Sequence, residues 1–169
     1  GVHGAIRKGL ADHPDFDIRL ASLDEPEQGL PDSLLNQTDV LLWWGHLKHG
    51  EVDDGLVNRI CDRVLRHGMG FIALHSAHAS KPFGRLVGTT GSLCWGDNQT
   101  EIVWNLLPQH PIAAGISDCF VLPEEELYCE PFRIPVPDEL VFTSWFRNGN
   151  IFRSGCCFYR GLGKIFYFQ

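Results

Sequence analysis

Two apolar runs of this chain end on histidines. In "VLLWWGHLKHGEV", residues 40–52, a hydrophobic stretch leads into Trp43, Trp44, Gly45, His46 and His49. In "GFIALHSAHASK", residues 70–81, a second stretch ends on His75, Ser76 and His78. Turns at such points ordinarily take Asp, Asn, Gly or Ser, which suit tight backbone geometry. Imidazole instead titrates closest to neutral pH and, when neutral, ligates metals. The chemistry offered is proton transfer or metal-assisted activation of water. The tryptophans add flat apolar walls of the kind that line ligand pockets, sugar sites included. Strand alternation can send only one of Trp43 and Trp44 to such a wall and turns the other to the core.

A carboxylate partner is available in "PEEELYCE", which carries Glu124, Glu125, Glu126, Tyr128 and Glu130. A run of glutamates is commonly a solvated face; the sharper reading turns Glu126 or Glu130 toward the histidines. Histidines with one carboxylate form the ligand set of many catalytic zinc sites. His46, His75 and Glu126 are therefore the candidate metal ligands, with zinc the expected divalent ion, although no HExxH motif is present. The candidate catalytic residues are His75, His46, Glu126 and Ser76. The candidate ligand contacts are Trp43, Trp44, His49, His78, Tyr128 and Glu130. Ser76 lies in "ALHSAH", which is not a GxSxG elbow, and a hydrogen-bonding role at a helix start competes with a nucleophilic one. No cysteine occupies that turn; the nearest is Cys61. His3 is an outlying candidate, and His13, His67 and His110 read as surface or turn residues. Lys81, Arg85 and Arg153 are the basic groups nearest these loops, and no glycine-rich phosphate loop accompanies them, so no nucleotide cofactor is expected.

The elements that must position these groups follow from periodicity. "DVLLWW" and "MGFIAL" read as buried strands of a parallel sheet. "VDDGLVNRICDRVLRHG" between them places Val52, Leu56, Ile60 and Val64 on one helical face, closed by Gly68. Strand, helix and strand at this spacing form a βαβ unit, which delivers both histidine-bearing ends to one side of the sheet, where ligands bind. Further readings are a helix from Val2 to Ala11, a strand at "DIRLASL" and a brief helix at "KPFGRLVGT". "EIVWNLL" reads as a strand with Ile102, Trp104 and Leu106 on one face. Residues 119–140 look irregular, a hairpin turns at Asn148-Gly149, and "GKIFYF" is a last strand. The expected fold is one α/β domain over 1–169, a three-layer sandwich with a mainly parallel, flavodoxin/Rossmann-like sheet. A helix at residue 1 with no strand before it, and an end at Gln169, lead us to expect residues missing at both ends.

The 169 residues carry a formal net charge of -7 with a pI near 5.5, and 44% are hydrophobic. No basic face or polybasic patch is visible, so neither nucleic acid nor a membrane surface is expected as a partner. Six cysteines without CxxC spacing and with no leader sequence point to reduced thiols and a cytoplasmic location.

With these residues in view, the sequence resembles the ThuA-like family of trehalose-utilisation proteins, within the class I glutamine amidotransferase-like superfamily. The resemblance runs through "GVHGAIRKGL", "LDEPEQGL", "TDVLLWWGHLKHGEV", "MGFIALHSAHASKPFGRLVGTT", "HPIAAGI", "PEEELYCEPFRIPVPDELVFTSWF", "FRSGC" and "GKIFYFQ". It implies a doubly wound α/β fold and a role in metabolism of trehalose or related disaccharides, including keto derivatives. The amidotransferase nucleophile would fall at His75–His78, where this chain has no cysteine. The expectation is acid/base or metal-assisted chemistry on a small carbohydrate by a protein that can self-associate; the alternative is a non-catalytic carbohydrate-binding or accessory protein.

Overall fold

In the computed structural model, which describes residues 1–169, seven strands form one sheet in the order β1-β2-β7-β6-β5-β3-β4. The strands are β1 (Val40–Trp43), β2 (Gly70–Leu74), β3 (Cys94–Asn105), β4 (Cys119–Cys129), β5 (Glu139–Phe146), β6 (Ile151–Arg160) and β7 (Gly163–Phe168). The helices are α1 (Val2–Leu10), α2 (Asp32–Leu35), α3 (Asp54–His67) and α4 (Lys81–Val87).

The unit β1-α3-β2 is as its periodicity demands. α3 starts where Asp53 Oδ1 accepts the Leu56 N–H at 2.9 Å and ends at Gly68, whose φ of 75° suits a residue without Cβ. Its buried stripe is Leu56, Val57, Ile60, Cys61 and Val64, each large aliphatic contributing ~1.5–3 kcal/mol of burial. β1 and β2 pair in parallel, with Leu42 opposite Ile72, and β2 pairs in parallel with β7. The three ends Trp43, Leu74 and Phe168 consequently share one edge. Close approach of β7 to α3 depends on Gly163, where a Cβ would stand 2.4 Å from Val64 Cγ1 and 2.6 Å from its carbonyl oxygen.

The expected three-layer, mainly parallel sandwich is not what forms. Beyond β7 every pairing is antiparallel: β7 with β6, β6 with β5, β5 with β3 and β3 with β4. The sheet is mixed and largely antiparallel. The cause is connection length, since parallel neighbours need a crossover of a dozen residues or so, whereas a hairpin needs only a few. β5 turns into β6 at Asn148-Gly149 and β6 into β7 at Gly161-Leu162, so neither can cross over.

Two local expectations also change. "DIRLASL" forms no strand. Residues 119–129, expected to be irregular, are strand β4. In β3 the buried residues are Glu101 and Val103, while Trp104 is 45% exposed, so the face that Ile102 and Trp104 share is the outer one. A buried glutamate among apolar residues hides the alternation from a hydrophobicity reading.

Candidate functional site

At the shared edge of β1, β2 and β7 lies a cavity of about 500 Å³. Trp44 and His46 follow β1, His75 follows β2 and Gln169 follows β7; Glu101 of β3 and Glu125 of β4 complete its polar lining. Leu74, Leu122 and Phe168, with Val2 and Ile6 of α1, supply apolar wall, and no lysine or arginine lines it. The bulge between the Gln99–Glu125 and Glu101–Leu122 pairs sets Pro123 and Glu124 of β4 against Thr100 alone of β3. Such a bulge re-aims side chains, and here Leu122 and Glu125 both reach the cavity.

His75 is the centre of the hydrogen bonding. Its backbone φ of 49° is left-handed, uncommon for a residue with a Cβ, and places the ring at the abrupt strand-to-helix turn. Its Nε2 lies 2.7 Å from Glu126 Oε2 and 3.3 Å from the Tyr128 hydroxyl oxygen, and the Tyr128 ring stacks on it at 4.7 Å between centroids. A carboxylate only accepts, so Nε2 carries the proton and donates it to Glu126. Nδ1 has no protein hydrogen-bond partner, and in the neutral ring it carries the lone pair. Burial, with Glu126 and Glu125 nearby, pushes the Tyr128 phenol far up, so it stays a neutral platform.

Glu101 was not singled out by its sequence context. It is 2% exposed, accepts a hydrogen bond from Ser144 Oγ and is ion-paired to no cation. Burial raises its pKa above the ordinary carboxylate value; the Ser144 bond opposes this and the charge of Glu125 adds to it. The Oε1 atom of Gln169 is buried with no partner, while Nε2 of the same residue donates to the Glu126 carbonyl at 2.8 Å.

The remaining candidates divide. Trp44 lines the cavity, its carbonyl 3.2 Å from His3 Nε2, whereas Trp43 packs into the core against Phe71. His46 is exposed at the cavity wall. His49 and His78 stand beside this group: desolvation first, then the charge of His46, lowers the His49 pKa. His78 falls to about 4, mainly through burial, with Nδ1 2.7 Å from the Gly91 carbonyl and its ring edge-on to Tyr128. Ser76 is buried and donates to the Gly45 carbonyl at 2.8 Å, tying the two histidine turns together. Glu130 is occupied elsewhere: both its oxygens receive Arg153 nitrogens, at 2.7 and 2.9 Å, and Oε2 caps the Phe132 N–H. Lys81 and Arg85 bind Asp54 and Asn58 and do not reach the cavity.

His46, His75 and Glu126 do not gather their ligand atoms as a metal set. The group of three that does, with atoms within 4.8 Å of one another, is His110, Glu139 and Cys157. No spacing signal could find these residues, which come from a loop and two different strands. His110 Nδ1 accepts the Ile112 N–H at 3.1 Å, which leaves the ring proton on Nε2, 3.3 Å from Glu139 Oε2. Burial, then Glu139 and Asp138, pushes the Cys157 thiol up to about 11. The Cys157 thiol therefore keeps its proton at neutral pH, and a cation there would have to displace that proton and the one on His110 Nε2.

A family model described as trehalose utilisation, ThuA, matches residues 2–169. The chain belongs to the ThuA family. Two solved ThuA-like proteins share the fold at 15% identity. The one from Parabacteroides merdae ATCC 43184 has a TM-score of 0.70, over 99% of this chain and 72% of that one. The one from Bacteroides uniformis ATCC 8492 has a TM-score of 0.71, over 98% and 71%. No curated protein gives a significant match. ThuA membership links the chain to carbohydrate metabolism in general terms, and no helix is long and apolar enough to cross a membrane.

Proposed function

We propose that this ThuA-family chain performs acid/base chemistry on a small uncharged carbohydrate, a disaccharide such as trehalose or its keto derivative, held in the cavity beside His75. The observation that carries the reading is the His75–Glu126 pair, whose 2.7 Å hydrogen bond holds Nε2 as donor to the carboxylate and, in the neutral ring, leaves the lone pair on Nδ1. A base fixed in this way takes a proton from a ligand hydroxyl, or from a carbon beside a carbonyl. Glu126 then steadies the imidazolium that results. Glu101, with its raised pKa, is the acid that returns a proton to an oxygen where negative charge develops. The Trp44 wall, the lone acceptor of Gln169 and a lining without lysine or arginine suit a neutral, hydroxyl-rich ligand better than an anion.

Glutamine hydrolysis through a thiolate does not fit, since His75-Ser76-Ala77-His78 occupies the turn and Cys61 lies on α3. Ser76 already spends its donor on Gly45. His46, His75 and Glu126 are not drawn together as ligands, so no step is routed through a metal.

Trehalose, 3-keto-trehalose and related disaccharides, assayed with and without added zinc or manganese, test the proposal. Turnover by the wild type that is lost in His75→Ala supports it. Calorimetric binding without turnover, unchanged in His75→Ala, identifies a carbohydrate-binding protein instead.

A further inference from the structure

We propose that Cys94 and Cys129 form a thiol–disulfide exchange site, in which exposed Cys94 meets a small oxidised thiol and Cys129 closes a bridge from β3 to β4. The two residues are register partners at one end of the antiparallel β3–β4 ladder. Residues directly opposed in such a ladder have Cα atoms ~4.5 or ~5.5 Å apart, and both spacings lie within the ~4.4–6.8 Å that a disulfide spans. Side chains of directly opposed residues leave the same face of the sheet, so the two sulfurs stand across the strand pair from each other. None of the other cysteines is so placed. Cys61 is on α3, Cys119 stands opposite Trp104, and neighbouring Cys156 and Cys157 point to opposite faces of β6.

The pair is asymmetric in the way exchange requires. Cys94 is exposed, whereas Cys129 is buried and its thiol is pushed up to about 11, first by desolvation and then by Cys94 and Glu130. Cys94 is therefore the first attacker. Its thiolate attacks one sulfur of oxidised glutathione, the S–S bond breaks, and one glutathione thiolate leaves. The Cys129 thiol then gives its proton to water and displaces the second glutathione thiolate from Cys94. Two protein thiols are oxidised and one glutathione disulfide is reduced.

The bridge would lock two segments that frame His75 and His78. β4 carries Glu126 and Tyr128 just before Cys129, and Gly91, which holds His78, lies just before Cys94. A 2.8 Å bond from Arg133 N–H to the Ser92 carbonyl already joins these segments beyond the ladder.

The test is incubation of the full chain with oxidised glutathione, followed by alkylation, thiol counting and peptide mass spectrometry. The six free thiols should fall by two, with a dithiothreitol-sensitive peptide linking Cys94 to Cys129. Cys129→Ala should instead trap one glutathione on Cys94, and Cys94→Ser, at an exposed position, should lose no thiol. Retention of all six thiols, or a bridge between any other pair, overturns the proposal; so does thiol loss in Cys94→Ser equal to the wild type.

Discussion

His78 shows how a single side chain sets a pH dependence. Its ring meets the Gly91 carbonyl, Tyr128 and Phe132, with His49 and His75 adding like charge, and its pKa in the fold is about 4. An unfolded histidine titrates near ~6.5, so the unfolded chain holds the extra proton between those values. Stability should be flat above pH ~6.5 and fall on acidification toward pH ~4, by up to ~3 kcal/mol from this residue. His78→Asn keeps a donor for Gly91 and cannot titrate, so denaturant melts of the two proteins should converge as the pH falls. Equal acid sensitivity in both would show that His78 does not carry the effect. Ser76→Ala offers a second residue-scale test. Losing the bond to Gly45 should cost ~1 kcal/mol and leave turnover within a few-fold of wild type, whereas a nucleophile would lose at least ~10³-fold. The histidines were legible because polar groups ending apolar strands stand out. Glu101 was not, because a lone buried glutamate in "TEIVWN" looks like an outward-facing residue until its partners are placed.

At the scale of elements, the helix α3 and its flanking strands could be read in advance because each signal is local: the Asp53 cap, the stripe from Leu56 to Val64, and Gly68. Asp53→Ala should cost ~1 kcal/mol in thermal or denaturant unfolding without changing the cavity. Gly163→Ala should cost more, ~1–3 kcal/mol or beyond, because its Cβ would meet rigid backbone and the branched Val64 side chain together. A Gly163→Ala protein as stable as the wild type would mean that β7 and α3 are not packed so closely. β4 escaped notice for a physical reason. Pro123 and three glutamates suppress its strand pattern, and the bulge at Pro123-Glu124 breaks the alternation so that Leu122 and Glu125 both reach the cavity.

For the whole molecule, local reading stops at order and direction. The parallel start at β1-α3-β2 does not set the direction of the rest of the sheet, which depends on two short hairpins and on long-range partners. β3, for example, settles between β4 and β5, two strands that follow it in the chain. That arrangement brings Glu101 and Glu125 across from the histidine turns, so the antiparallel half of the sheet supplies the carboxyls and the parallel half supplies the imidazoles. In the proposed function His75, oriented by Glu126, is the base of this composite site. Its most direct test is turnover of the disaccharide and keto-disaccharide panel by wild type, His75→Ala and Glu126→Gln, with folding checked by thermal melts. We expect wild-type turnover to fall at least ~10²-fold in each variant with the fold retained. Wild-type rates in a folded His75→Ala protein would contradict it.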